Sequence, residues 1–258
     1  MKRFLFVFVF AVLILFGFWL IVVPESLIIN LIRESASCND FCIETTDFRK
    51  GLFYNFKSQK VMLKRSGNVL LSVDNMAGRI NPLLLFLMRP SLSFQGDIDG
   101  GEVYGKVGLS QRIVNIDMDG VNIKKIPLFT ILGLKGEGVL SGAFNLKEGL
   151  GNLKFYIKDA RFENSSFSGT MVPLSMFNCA RGIFEISEDT IKIRSLSLEG
   201  RGIYARVKGN IREGTMDLML ELMRDSSFTE GSHIFWLIES YRVVPGYYVI
   251  PIRGKIPL

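Results

Sequence analysis

Few side chains in this sequence are suited to chemistry, and their spacing decides what each can do. The single histidine, His233, opens an apolar stretch beside Phe235, Trp236 and Ile238. General-base work needs a nucleophile to activate and a carboxylate to orient the ring. Nothing in the sequence supplies either, so His233 reads as a packing or interfacial residue. Gly100 to Lys106 (GGEVYGK) has the glycine and lysine spacing of a phosphate-binding loop. The next residue is Val107, however, where a magnesium-holding hydroxyl is needed, and the segment alternates like a strand instead of opening a helix. Asp97, Asp99 and Gly100 begin a calcium-loop pattern whose remaining ligands are missing. Asn164-Ser165-Ser166 has the spelling of a glycosylation sequon and reads as a turn. These features give no catalytic, metal or cofactor site, and the chain is expected not to be an enzyme.

The three cysteines form an uneven set: Cys38 and Cys42 lie close together and Cys179 stands alone. In an oxidising compartment a Cys38–Cys42 disulfide is one reading, worth about 2 kcal/mol for so short a loop. Two buried thiols are the other. A zinc site would need two more ligands, and the neighbouring sequence offers none.

The formal net charge is +6, and the Lys and Arg residues are scattered through the chain, singly or in pairs. Nucleic-acid recognition calls for clustered cations with exposed aromatics, so that class is excluded. Anionic lipid headgroups are the more natural partner for such a charge.

The elements that must carry these residues begin with the membrane. Phe4 to Val23 is a run of 20 uncharged residues directly after Lys2 and Arg3. At about 1.5 Å per residue it spans about 30 Å, the thickness of a bilayer core. The basic pair places Met1 in the cytoplasm and everything after Pro24 across the membrane. A cleavable signal peptide would have a shorter apolar region ending in a small-x-small site, whereas here Val23-Pro24-Glu25-Ser26 follows. Arg33 and Glu34 separate Cys38 from the run, so Cys38 is no lipoprotein cysteine. The expected organisation is a cytoplasmic tip and transmembrane anchor over 1–24, a juxtamembrane amphipathic helix over 25–37, and a periplasmic β domain over 38–258. Within the second segment Leu27, Ile28, Leu31 and Ile32 recur at helical spacing.

Beyond residue 38 the period changes to two. Ile203, Ala205, Val207 and Ile211 oppose Tyr204, Arg206, Lys208, Asn210 and Arg212 in the clearest strand. Met216, Leu218, Leu220 and Leu222 alternate next, as do Leu153, Phe155 and Ile157, and Val69, Leu71 and Val73. Two segments change phase: Val114, Ile116 and Met118 give way to Val121 and Ile123, and Ile191 and Ile193 to Leu196 and Leu198. A bulge at each switch would restore the facing. Helices are expected only at Ile80–Met88, Pro127–Leu134 and Ser232–Tyr241. The fold class is therefore mainly β: one transmembrane helix, then a curved, mostly antiparallel sheet with a few short helices.

Three short helices are too few to cover the apolar side of such a sheet. Gly136, Gly138 and Gly142 share one strand face with Leu140, Phe144 and Leu146, a pattern that suits strong curvature or close approach of a backbone or an acyl chain. Ordinary turn and bulge glycines are the simpler reading. The candidate lining comprises Leu140, Phe144 and Leu146 on one strand, Ile203, Val207 and Ile211 on a second, and Leu218, Leu220 and Leu222 on a third. A closed, dry core is the plainest use of these faces, because exposed apolar area costs roughly 25 cal/mol per Å². An open trough that shields acyl chains is the other.

Several segments carry a resemblance. The N-terminal anchor, GLFYNF (Gly51 to Phe56), GDIDGGEVYGKV (Gly96 to Val107), IPLF (Ile126 to Phe129), LKGEGVLSGAFNL (Leu134 to Leu146) and the closing VIPIRGKIPL (Val249 to Leu258) resemble protein N of the bacterial type II secretion system. That resemblance implies an accessory inner-membrane component, single-pass, whose partners are other inner-membrane platform proteins contacted in the periplasm. The pattern is also similar to AsmA-like proteins, which implies an apolar trough and membrane lipid as a further partner. Neither brings a catalytic residue or cofactor, and the Cys38/Cys42 pair departs from the first family's pattern.

Overall fold

The computed structural model describes residues 17, 19, 24–26, 28–30, 41–82, 84, 89, 91–108, 112–131, 134–167, 170–187, 189–226, 228, 235–236 and 238–255. The strands are β1 (Phe41–Thr46), β2 (Arg49–Lys50), β3 (Asn55–Arg65), β4 (Asn68–Ile80), β5 (Ser91–Ile98), β6 (Gly101–Gly108), β7 (Ile113–Asn122), β8 (Gly136–Lys147) and β9 (Leu150–Phe162). They continue as β10 (Ser165–Phe167), β11 (Thr170–Val172), β12 (Phe177–Ile186), β13 (Thr190–Gly200), β14 (Ile203–Arg212), β15 (Thr215–Arg224), β16 (Arg242–Val244) and β17 (Tyr247–Lys255). All but the β10–β11 hairpin belong to one 15-stranded sheet ordered β1-β3-β4-β5-β6-β7-β8-β9-β12-β13-β14-β15-β17-β16, with β2 beside β3. The protein is therefore mainly β and antiparallel, as its period-two alternation predicts. Contacts divide the chain into two compact units. One comprises Met1–Asp97 and Lys106–Ser110, the other Ile98–Gly105 and Gln111–Leu258.

In the first unit, β3 and β4 run antiparallel from Asn55↔Arg79 to Arg65↔Asn68. Its core gathers Tyr54, Phe56, Val73, Met76, Ile80 and Leu92, all buried. The rings of Phe48 and Phe56 stack with centroids 5.5 Å apart. Residues 25, 26 and 28–30 are helical, with Ile28 buried. Leu27, Leu31, Ile32 and Cys38 lie outside the described residues. Among the described residues no helix is long and apolar enough to cross a membrane, and the run Phe4–Val23 falls almost wholly outside them.

In the second unit the two ends of the strands differ. At one end β8 turns into β9 through Glu148–Gly149 and β14 into β15 through Glu213–Gly214. All four of these residues have positive φ (52°, 84°, 48° and 74°), the geometry of a two-residue hairpin turn, where glycine fits the second position. At the other end three connections are long, over residues 123–135, 163–176 and 225–241, and they carry the short helical pieces. Both expected phase corrections are present. The β7–β8 register shifts between Met118 and Val121, and the β13–β14 register between Ile193 and Leu196.

The predicted helices are described only in part. Within Pro127–Leu134, α1 covers Pro127–Ile131, residues 132 and 133 lie outside the described residues, and Leu134 is not helical. Ile80 is not helical but ends β4, where its N–H donates to the Tyr54 carbonyl at 2.9 Å and so continues the sheet pairing. Of the rest of that span, residues 82 and 84 are helical and 83 and 85–88 lie outside the described residues. In Ser232–Tyr241, residues 235–236 are helical and Glu239–Tyr241 forms a 3-10 turn. His233 lies outside the described residues.

Candidate functional site

Register across the second unit aligns the apolar positions of eight consecutive strands into rows. The first row runs Val121, Leu140, Ile157, Ala180, Leu198, Ala205, Leu222 and Tyr248. The second is Met118, Gly142, Phe155, Gly182, Leu196, Val207, Leu220 and Ile250. The third is Ile116, Phe144, Leu153, Phe184, Ile193, Gly209, Leu218 and Ile252. The fourth is Val114, Leu146, Gly151, Ile186, Ile191, Ile211, Met216 and Gly254. No charged group interrupts them, and only Tyr248 carries a polar atom. At about 4.8 Å between strands and about 6.8 Å between alternate residues, this face measures roughly 34 Å by 20 Å.

Burial along the strands is graded. In the first row every residue but Leu198 is buried, because the long connections fold over that end. Phe235 packs on Tyr248 at 5.5 Å and edge-on against Phe228 at 6.1 Å, with the Arg224 guanidinium 4.4 Å over its ring. Ile123, Ile126, Leu174 and Phe177 are buried in the same connections or just beyond them. The later rows are mostly half-buried, with Ile193, Gly151 and Gly182 buried, Gly254 exposed and Ile191 38 % exposed. The described helical elements of this unit have three to five residues, too few to roof them. At the tight-turn end Glu148, Leu150, Asp189 and Arg212 border a shallow pocket.

Eight of the nine residues expected to line the face fall into these rows. The ninth, Ile203, pairs with Gly200 and Arg224 one step beyond the first row, buried under the capped end. Within the set, Leu140, Ile203 and Leu222 are buried while Phe144, Leu146, Val207, Ile211, Leu218 and Leu220 are half-buried. Sequence reading missed β12 altogether. Its share of the face is Ala180, Gly182, Phe184 and Ile186, two of them small, while Ile183 points the other way. Its signal was the alternation of Ala180, Gly182, Phe184 and Ile186 with Arg181 and Glu185, weakened by the two small residues.

Small residues on this face make room for aromatic rings. A Cβ on Gly182 would lie 2.3 Å from Phe155 and 2.6 Å from Phe184, whose rings stack at 5.9 Å. Gly142 shares the face of Leu140 and Phe144, and so does Gly138, where a Cβ would lie 2.9 Å from Ile157, because the register shift opposite Glu137 and Val139 puts its extra residue on β9.

The opposite face of the same strands is polar. Lys208 pairs with Glu221 at 3.2 Å, Arg253 with Asp217 at 3.1 Å and Arg194 with Glu185 at 2.7 Å. The hydrogen bond from Arg194 holds the Glu185 carboxyl below its usual range, and that from Lys124 does the same for Glu137. Cys179 lies on this face, and the Tyr156 phenol, which donates to its sulfur, is held above its usual range. Arg181 sits 5.3 Å over the Tyr156 ring and 3.5 Å from Glu199. Cys42 on β1 is a free, exposed thiol, and its expected partner Cys38 lies outside the described residues.

The remaining candidate motifs resolve into ordinary structure. GGEVYGK enters β6 as extended chain. Asp97 accepts a hydrogen bond from Asn75 at 3.3 Å, and Asp99 pairs with Lys125 at 3.4 Å. Asn164 braces its loop by accepting from the Ser175 hydroxyl at 2.7 Å. Among the described residues no group of His, Cys, Asp and Glu is arranged to hold a metal ion. Set against known protein families, curated proteins and solved structures, the chain matches none.

Proposed function

We propose that this chain is a membrane-anchored envelope protein that holds lipid acyl chains on the apolar face of its sheet, without catalysis, in the manner of an AsmA-like module. The observation that supports this reading is the set of aligned rows, apolar across eight strands and mostly half-buried beyond the first. Exposed apolar patches on soluble proteins seldom exceed a few hundred Å² and mark interaction sites when they do. The length of the rows along the strands, about 20 Å, exceeds the reach of one leaflet's chains, about half of a 30 Å hydrocarbon core. The membrane assignment rests on the uncharged run Phe4–Val23 behind Lys2 and Arg3, which orients the sheet into the periplasm of a bacterial inner membrane.

A second reading, compatible with the first, is an accessory component of a type II secretion apparatus acting through periplasmic contacts with platform proteins. It is favoured by the overlap of resembling segments with strands: GDIDGGEVYGKV covers the end of β5 and most of β6, LKGEGVLSGAFNL covers β8 up to Leu146, and VIPIRGKIPL begins inside β17.

Native mass spectrometry of the full chain extracted from membranes tests the first reading. Bound phospholipid is expected on the parent protein and lost from Leu220→Asp, which stays folded. A parent protein that never carries lipid, together with a Leu220→Asp variant that unfolds, would exclude it. Co-purification from the same extract tests the second, and recovery without any secretion-platform protein would count against it.

A further inference from the structure

The connection from β2 to β3 is a tight hairpin turn with an apolar tip. Gly51 N–H donates to the Asn55 carbonyl at 2.8 Å and Asn55 N–H to the Leu52 carbonyl at 3.2 Å. Phe53 and Tyr54 both take positive φ, 54° and 64°. Bulky residues seldom adopt that conformation, and strain of this kind concentrates at functional positions. Its effect here is to turn Leu52 and Phe53 outward, 56 % and 60 % exposed, while Tyr54 is buried.

The turn is strapped to the end of the long apolar run. The Trp19 indole Nε1–H donates to the Gly51 carbonyl at 2.8 Å, and the Trp19 and Tyr54 rings lie 4.6 Å apart. Lys50 Nζ donates to the Trp19 carbonyl at 3.0 Å and sits 5.4 Å over its ring, while the Lys50 N–H donates to Glu25 Oε1 at 2.9 Å. Trp19 stands four residues before Val23, the last residue of the run. Tryptophan at that depth belongs to the headgroup boundary.

Behind the tip the same hairpin places two cations side by side. Arg49 pairs in register with Lys57, a like-charge neighbour pair that costs stability in water. Among the described residues neither makes an ion pair. Three residues of strand set them about 10 Å behind the turn, the depth at which phosphates lie above a tip that enters the acyl region.

We propose that the β2–β3 hairpin is a second membrane contact beside the anchor, Leu52 and Phe53 entering the periplasmic leaflet and Arg49 and Lys57 holding anionic lipid phosphates. This rests on the membrane-anchored reading above. It adds that the first strands of the sheet are seated on the bilayer and not merely tethered to it.

The test uses the full chain in nanodiscs containing phosphatidylglycerol, with Cys38, Cys42 and Cys179 replaced by Ser. A single cysteine for an environment-sensitive fluorophore is placed by Phe53→Cys or Leu52→Cys, and by Ser66→Cys in the distant β3–β4 turn. Nitroxide-bearing lipid is expected to quench the probe at 52 or 53 at least twofold and to leave the probe at 66 unchanged. Adding R49E and K57E is expected to reduce that quenching. A probe at 52 and 53 as water-exposed as at 66, in protein that floats with the bilayer, overturns the hairpin contact while sparing the anchor. A probe shielded but unquenched also overturns it, showing a protein contact instead. Protein that does not float with the bilayer removes the membrane reading and the hairpin contact together.

Discussion

At the residue scale, two glycines of the apolar face differ in what surrounds them. The nearest atoms to a Cβ on Gly182 are the far edges of the Phe155 and Phe184 rings, which can swing aside. Gly209 has φ of 139°, and a Cβ there would stand 2.2 Å from the Asp217 carbonyl oxygen, part of a paired backbone. Gly209→Ala is therefore expected to cost about 1–3 kcal/mol and Gly182→Ala less, read by urea unfolding. An equal cost for both would refute the distinction. The polar face carries a weak pH dependence. Glu185 has its folded pKa lowered by Arg194, so its contribution is present above the unfolded carboxylate range and is lost as pH falls through the folded value. Both groups are exposed, so the effect is small. Melting temperature should fall modestly between neutral pH and pH about 4, and Glu185→Gln should reduce that fall; an unchanged fall would show that other carboxylates carry it.

At the element scale, each of the eight strands of the apolar face presents a position in the first row and others in the later, more open rows. Leu140 in the first row is 4 % exposed beneath the long connections, whereas Leu220 in the second is half-buried. A charge at the first site is buried without a partner, and at the second it reaches water. Leu140→Asp should thus destabilise by more than about 3 kcal/mol, while Leu220→Asp should cost under about 1.5 kcal/mol. Circular dichroism melts of both variants decide the matter, and comparable unfolding would mean that the face is a uniformly closed core. Bulges matter equally at this scale. Without the shifts at Met118/Val121 and Ile193/Leu196, half of β7 and β13 would turn its apolar side chains to the polar face.

At the scale of the whole molecule, nearly every strand pairs with its neighbour in sequence, and the chain forms two compact units. Contacts of that kind make stability local, as in repeat proteins. Val73, buried in the first unit, offers a test. Val73→Ala should cost about 1–3 kcal/mol in the protection of β3 and β4 against hydrogen exchange. It should leave β12 to β15 unchanged, and a uniform loss across both sets would show that the chain unfolds as one.

The alternation in β9, β14 and β15, both bulges and the antiparallel class were legible in the sequence, because a strand with one apolar face writes period two into its residues whatever its neighbours are. The absence of long helices among the described elements of the second unit was legible for the same reason. β12 was not, since Ala180 and Gly182 are small so that neighbouring rings can fill their space, and that need is imposed by adjacent strands. Nor was the division of the apolar face into a buried end and a half-open one. It depends on which connections are long enough to fold back, with Phe235 and Phe228 meeting Tyr248 across the gap. The contact of Trp19 with Gly51 and Tyr54 likewise joins segments more than 30 residues apart. Local sequence fixes which way each side chain faces along its own strand. Only the assembled sheet decides what, if anything, covers it.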